Sequence, residues 1–197
     1  IVFQQKIKTI MKHLFLLLVT ITLFSCQKEE KPTYVIFNGS VENMNSSIAK
    51  ISGSGFDKEM SISESGNFSD TLNIEKNGYY SLKIGRESTP VFLVKGANLS
   101  IKLDTKQFDE SLAYSGDLAS ENNYLAAKYL LSEKELAFDK VYSLQEDEFL
   151  KEVNKVNESY ISLLNSTEGV SKEFKVKESK ELEYAHINNI ENYEQYF

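Results

Sequence analysis

The sequence predicts an α+β protein, in which an antiparallel β-sandwich of about seven to eight strands is followed by a region of three helices. Two observations lead to this prediction. Eight of the nine glycines lie before residue 119, where short apolar segments alternate with turn residues. After that point apolar residues recur every three or four positions, which is the period of a helix. We therefore divide the folded part into a sandwich domain, residues 34–118, and a helical connector, residues 119–197.

The predicted strands are separated by glycine-containing segments, which favour turns because glycine adopts backbone conformations that other residues resist. Residues 68–74 alternate apolar and polar side chains, as a strand with one wet face does. The predicted strands are residues 34–41, 48–52, 60–62, 68–74, 79–84, 91–94 and 99–103.

Three helices of about 20 residues are predicted in the connector, each from an apolar stripe. A capping box of Ser143 and Glu146 is predicted to start the second helix. The first helix begins near Ser120 and carries Tyr124, Ala127, Leu131 and Phe138. The stripe of the second is Phe149, Val153, Val156, Tyr160 and Leu163. The third begins near Ser171 and carries Phe174, Leu182, His186, Ile190, Tyr193 and Phe197.

The N-terminal segment, residues 1–25, is predicted to hold upstream residues and a secretory signal peptide. A charged start at Met11 and Lys12 is followed by an apolar run, residues 14–24, and then by Ser25. This run is too short for a membrane-spanning helix, which needs roughly 20 residues. Residues 1–10 precede the more natural start at Met11 and are interpreted as upstream reading frame.

Residues 23–26 resemble the bacterial lipobox, in which signal peptidase cuts before a cysteine that carries lipid. Cleavage is then expected between Ser25 and Cys26, with Cys26 as the lipid attachment site. The alternative is a chance cysteine after an ordinary signal peptide. Because Cys26 is the only cysteine, the chain can form neither an internal disulfide nor a Cys-x-x-Cys pair.

Residues 26–33 are polar and are interpreted as a tether. Lys28, Glu29 and Glu30 resemble the signal that exports some Bacteroidetes lipoproteins to the cell surface. We expect a lipid-anchored protein of the cell envelope, in the outer membrane facing the periplasm or the cell surface. Its expected partners are the membrane and an envelope protein. A net charge of -7 argues against nucleic acid, because binding to phosphates needs clustered positive charge.

No catalytic, cofactor or metal site is predicted. His186, the one histidine after the signal, lies on an apolar stripe and is expected to be buried and hydrogen-bonded, not a ligand or base. The acidic residues 146–148 are interpreted as the first turn of a helix, where amide dipoles favour acids. Residues 52–55 are expected to form a turn, since no Lys-Ser/Thr follows as a phosphate loop requires. Tyr79 and Tyr80 are expected to point to opposite faces of a strand, in preference to stacking on a sugar.

The sandwich and the start of the connector resemble the N-terminal domain of TlpA-like, thioredoxin-family lipoproteins of Bacteroidetes, over roughly residues 34–130. The shared features are residues 37–41, 65–68, 80–84, 92–104, 114–116 and 122–125. In that family a thioredoxin-like domain follows, whose Cys-x-x-Cys exchanges thiols and disulfides.

The resemblance implies that this chain is a non-catalytic, lipid-anchored segment that tethers and positions a downstream thioredoxin-like domain. It also implies that the full-length protein, which would contain both parts, is a thiol-disulfide oxidoreductase. It also implies that the connector is truncated, since residues 193–197 stop in mid-pattern. The alternative is a free-standing cell-surface lipoprotein whose sandwich binds glycan or protein.

Overall fold

Eight strands form in the computed structural model, which describes residues 32–135 and 138–196. They are β1 (Val35–Glu42), β2 (Ile48–Gly53), β3 (Phe56–Ser61), β4 (Asn67–Leu72), β5 (Gly78–Ile84), β6 (Glu87–Leu93), β7 (Asn98–Asp104) and β8 (Ala113–Gly116). The predicted strand count is confirmed. Strands β3 and β6 begin four residues before the predicted segments, because residues 57–59 and 87–90 carry no apolar alternation.

The strands form two four-stranded sheets. Sheet I has the order β4-β1-β7-β8, and sheet II has the order β3-β2-β5-β6. Strands β1 and β7 run parallel, with Phe37 opposite Leu99, whereas every other described pair is antiparallel. The prediction of a wholly antiparallel arrangement is therefore wrong for sheet I. Parallel pairing needs a long crossover, and here the strands of sheet II and β4 lie between β1 and β7 in the chain.

One buried hydrophobic cluster draws side chains from both sheets. Phe37, Leu72 and Leu99 come from sheet I, and Ile51 and Leu82 come from sheet II. All five side chains are fully buried. Removing apolar surface from water is the main favourable term in folding, so this cluster is the principal core of the strand region.

Six helical segments lie in the described ranges, so the prediction of three helices is too low. The long ones are α2 (Ala119–Glu135), α4 (Glu146–Ser166) and α5 (Lys172–Glu191). The four-residue ones are α1 (Phe108–Ser111), α3 (Phe138–Val141) and α6 (Tyr193–Tyr196). Among the described residues, no helix is both long and apolar enough to cross a membrane.

The long helices start close to the predicted positions, but one predicted cap is wrong. Ser171 caps α5 as expected, because its Oγ accepts a hydrogen bond from the Phe174 amide. The predicted capping box at α4 does not form. Ser143 Oγ donates to the carbonyl of Lys140 instead, and α4 begins at Glu146 after Gln145, which makes no side-chain cap.

The helical region adds two smaller apolar clusters. One lies on the outer face of sheet II, where Phe92 contacts Phe174 at a ring-centroid distance of 5.0 Å. The other holds Phe149 stacked on Tyr193 at 4.2 Å. The predicted stripe of α4 is confirmed at Phe149, Val153 and Val156, which are buried. Helix α5 ends at Glu191, earlier than predicted, because the chain turns at Asn192 before α6.

At Thr71, side chains satisfy the outward backbone groups of edge strand β4. The Thr71 amide donates to Asp70 Oδ1 at 2.7 Å, and its carbonyl accepts from Lys58 Nζ at 3.0 Å. Lys58 Nζ also lies 2.6 Å from Asp70 Oδ1. An unpaired edge is a template for another strand, so this ion pair closes sheet I at that point.

Asp70→Asn is expected to lower the free energy of unfolding by about 0.5–1 kcal/mol at pH 7, since the ion pair is about one-third exposed. The hydrogen bond from Lys58 holds the pKa of Asp70 below its ordinary value. A lowered folded pKa stabilises the protein above the unfolded pKa, and the effect disappears as the pH falls through the folded pKa. Urea unfolding at neutral and acidic pH measures the difference, which is expected to vanish in acid.

The matched control is Asp57→Asn, which removes a carboxylate from the more exposed Lys50–Asp57 pair and is expected to change stability little. An Asp70→Asn loss of equal size at neutral and acidic pH contradicts the electrostatic explanation.

Candidate functional site

The beginning of α2 joins three other elements through four consecutive side chains, Glu121 to Tyr124. Glu121 Oε1 accepts a hydrogen bond of 2.9 Å from the amide of Ser171, the cap of α5. Asn122 and Asn123 bind strand backbones, and the Tyr124 hydroxyl reaches Glu178 on α5. Together these four residues form the α2 junction.

Asn122 closes the edge of sheet II. Its Oδ1 accepts from the Phe92 amide at 2.8 Å, and its Nδ2 donates to the Phe92 carbonyl at 3.1 Å. Phe92 lies on β6, an edge strand, so the asparagine amide takes the place of a neighbouring strand. Asn122 is fully buried, which makes these bonds obligatory for the Phe92 backbone.

Asn123 does the same for sheet I. Its Oδ1 accepts from the Tyr114 amide at 2.8 Å, and its Nδ2 donates to the Tyr114 carbonyl at 3.0 Å. Tyr114 lies on β8, the edge strand of that sheet. Asn123 is exposed, in contrast to Asn122. Two adjacent asparagines therefore fasten one helix to the edges of both sheets.

A buried carboxylate forms the centre of the site. Glu178 lies on α5 between Phe174 and Leu182 and is 0% exposed. Its Oε1 accepts from Lys128 Nζ at 2.5 Å and from the Tyr124 hydroxyl at 3.1 Å. Its Oε2 accepts from the Tyr79 hydroxyl at 2.5 Å. A buried charge is tolerated when it is paired and hydrogen-bonded, and here donors from β5 and α2 satisfy both oxygens.

The two tyrosines serve as neutral donors. Burial raises the pKa of the Tyr79 hydroxyl far above its ordinary value, and the hydrogen bond to Glu178 raises it further. Burial also raises the pKa of Tyr124, with the negative charge of Glu178 as the next cause. Both phenols therefore stay protonated across the physiological pH range and keep donating to the carboxylate.

Aromatic rings and a second lysine surround this carboxylate. Phe174 packs edge-on against Tyr124 at a centroid distance of 5.6 Å, and Lys177 Nζ lies 5.7 Å from the centre of the Tyr79 ring. Such contacts each contribute about 0.5–1 kcal/mol. Helix α5 is consequently held on sheet II and on α2 by charge, hydrogen bonds and ring packing together.

A groove of about 250 Å³ opens beside the carboxylate, between α2, α4 and α5. Its lining is largely apolar, with Leu125, Leu182 and Pro90, and Lys128 and Glu181 contribute charge. The ammonium of Lys128 is already bound to Glu178. The polar groups at this site thus serve to join elements of the fold.

The residues predicted to carry function are not among those that the structure describes. Ser25, Cys26, Lys28, Glu29 and Glu30 all fall outside the described residues, as does the predicted signal peptide. Their assigned roles remain predictions. In the described ranges, no group of three or more His, Cys, Asp or Glu side chains is arranged to hold a metal ion.

His186 differs from its predicted environment. It is half-buried, and its Nδ1 has no hydrogen-bond partner among the described residues. It lines a cavity of about 10 Å³ between α4 and α5. The prediction of a buried, hydrogen-bonded histidine is therefore wrong at Nδ1, because its neighbours in the cavity are mainly apolar, among them Val153 and Leu182.

The interpretations of residues 146–148 and of residues 52–55 are confirmed. Glu146, Asp147 and Glu148 are exposed in the first turn of α4. Residues 52–55 end one strand and form the turn to the next, with φ angles of 51° at Ser54 and 79° at Gly55. Positive φ at both positions is typical of a type I′ hairpin turn.

Tyr79 and Tyr80 point to opposite faces of β5, as predicted, but both faces are covered. Tyr80 lies in the core cluster, and its hydroxyl donates to the Lys76 carbonyl at 2.6 Å. Tyr79 packs under the helices and binds Glu178. The outer face of β5 therefore does not present Tyr79 for stacking on a sugar.

The site residues predicted from the sequence do not include Glu178, Lys128 or the two asparagines. Glu178 occupies the middle of an i, i+4, i+8 series with Phe174 and Leu182, which places a charge on the buried face. Adjacent asparagines in the first turns of a helix are also unusual, because asparagine favours caps and turns. Both signals are visible in the sequence, but neither identifies its partner.

The fold and this site define an α+β protein whose helices are joined to two sheets by two adjacent asparagines, Asn122 and Asn123, and by the buried carboxylate of Glu178. No protein-family model, curated protein or solved structure matches the chain.

Proposed function

We propose that the chain is the non-catalytic, lipid-anchored N-terminal segment of an envelope lipoprotein resembling TlpA-like thiol-disulfide oxidoreductases. In this proposal it holds and positions a downstream thioredoxin-like domain. The observation that supports a positioning role is the α2 junction, where four consecutive residues, Glu121 to Tyr124, bind three other elements, α5, β6 and β8. A helical connector held at several points transmits a fixed orientation better than a flexible one.

The proposal includes a β-sandwich. The core cluster supports face-to-face packing of the two sheets, because it contains Phe37 from sheet I and Ile51 from sheet II. The α2 junction supports it as well, since Asn122 and Asn123 reach one edge of each sheet from a single helical turn. Aligned sandwiches bury the inner faces of both sheets in this way.

Cys26→Ala is expected to abolish metabolic labelling with palmitate and to leave the chain unprocessed or soluble. Each buried methylene contributes about 0.8 kcal/mol to membrane binding, so two or three acyl chains anchor a protein stably. Labelling of cells, followed by immunoprecipitation, measures the effect. Ser25→Ala is the matched control, because it keeps a small residue before the cleavage point and should retain the label. Unchanged labelling of Cys26→Ala refutes the anchor.

The positioning role is tested by reading the gene beyond Phe197. A downstream domain with Cys-x-x-Cys is expected. A downstream domain without that motif contradicts the role, and a stop codon directly after Phe197 favours the free-standing surface lipoprotein instead.

A further inference from the structure

Side chains bind the backbone of three of the four sheet edges. Asn122 binds Phe92 on β6, Asn123 binds Tyr114 on β8, and the Lys58–Asp70 pair binds Thr71 on β4. Each of these side chains occupies backbone groups that a further strand would need. The fourth edge, β3, differs from the other three.

The outward backbone groups of β3 belong to Asp57, Glu59 and, at the end of the strand, Ser61. The two-residue turn after Gly53 makes Gly53 and Phe56 a hydrogen-bonded pair, so the alternate residues Asp57 and Glu59 direct their amides and carbonyls away from β2. Within residues 32–135 and 138–196, these groups have no hydrogen-bond partner. In the part of the chain that the structure describes, the β3 edge is therefore unpaired and can accept a strand.

The charges on this edge select the kind of strand. Both Asp57 and Glu59 are exposed, and Lys50 on β2 pairs with Asp57 at 2.7 Å. If the β3 strands of two molecules paired antiparallel with Lys58 opposite Lys58, Asp57 of one molecule would lie opposite Glu59 of the other. Like charges directly opposite destabilise a strand pair, whereas opposite charges stabilise it. The edge therefore disfavours a second copy and favours a basic strand.

A cleft of about 390 Å³ lies at the end of β3. It is lined by Ile62, Ser63 and Glu64, which follow β3 directly, and by the β1–β2 loop, residues 44–47. Met44 is 39% exposed, so its side chain offers apolar surface in the cleft to an incoming side chain. Pockets beside an open strand are the features that give strand addition its specificity.

We propose that the β3 edge binds an extended basic segment of a partner protein as a fifth strand of sheet II. Its backbone pairs with Asp57 and Glu59, its lysine or arginine side chains face their carboxylates, and an apolar residue enters the cleft. This interaction does not depend on the lipid anchor or on a downstream domain.

The test uses the full chain and a fluorescent peptide of about eight alternating lysine and valine residues. Fluorescence anisotropy should show saturable binding, and hydrogen exchange should slow at the amides of Asp57 and Glu59. N-methylation of alternate peptide amides should weaken binding at least about tenfold, because those amides can no longer donate to β3. This part of the test needs no protein variant.

The variant Asp57→Lys/Glu59→Lys should also weaken binding at least about tenfold, because it reverses both charges. Glu146→Lys/Glu148→Lys is the control, since it makes the same charge change on exposed positions of α4 and should leave binding unchanged. No saturable binding, binding insensitive to N-methylation, or an equal loss in the control overturns the proposal. So does a dimer whose Asp57 and Glu59 amides are protected without peptide, since a second copy then occupies the edge.

Discussion

Lys128→Met is expected to lower the free energy of unfolding by about 3–5 kcal/mol, which is the usual cost of removing one partner of a buried ion pair. The variant leaves the Glu178 carboxylate fully buried, with two tyrosine hydroxyls as its remaining donors. Methionine preserves most of the aliphatic side chain, so lost packing contributes little. Denaturant unfolding followed by circular dichroism measures the difference.

Glu178→Gln is the matched variant and is expected to cost less, about 1–2 kcal/mol. It keeps the shape of the side chain and an acceptor for the tyrosines. It also leaves Lys128 unpaired, but that side chain is 27% exposed and can turn its ammonium to water. The double variant should be more stable than the sum of the two losses implies, because the residues form one network. A Lys128→Met loss smaller than that of Glu178→Gln contradicts the assignment of the buried charge.

Asn122→Ala is expected to cost about 2–4 kcal/mol, because it leaves the amide and the carbonyl of Phe92 buried without partners. The carbonyl of Leu118 keeps the hydrogen bond from the backbone N–H of residue 122, so the loss of stability arises at β6. Unfolding experiments measure the loss, and hydrogen exchange at the Phe92 amide should become faster.

Asn123→Ala provides an internal control, since it removes the same two bonds from Tyr114. Asn123 is exposed, and water can replace its amide, so the expected cost is about 0.5–1.5 kcal/mol. Equal costs for the two substitutions are incompatible with burial as the cause of the difference.

Local sequence patterns predicted most of the secondary structure. Alternation identified the strands around Phe37, Phe68 and Leu82, and the helical period identified α4 from Phe149 onward. The predictions failed where the local signal was weak. Strand β6 begins at Glu87 and passes through Pro90, and it forms because β5 provides a partner along its length.

Helix ends were predicted less well for the same kind of reason. Ser143 has the residue type and spacing of a capping box, yet its hydroxyl binds the Lys140 carbonyl at the end of the preceding helical turn. A capping residue competes with every nearby backbone group, and the tertiary course of the chain decides which bond forms.

By itself, the sequence determined the period of each element, the net negative charge of the chain and the position of the single cysteine, Cys26. Only the tertiary structure decided the roles of Glu178 and the two asparagines. Tyr79 lies 99 positions from Glu178, and Phe92 lies 30 positions from Asn122. Periodicity reports which face of an element is apolar, whereas a buried polar side chain is defined by the partner that satisfies it, and that partner is set by the fold.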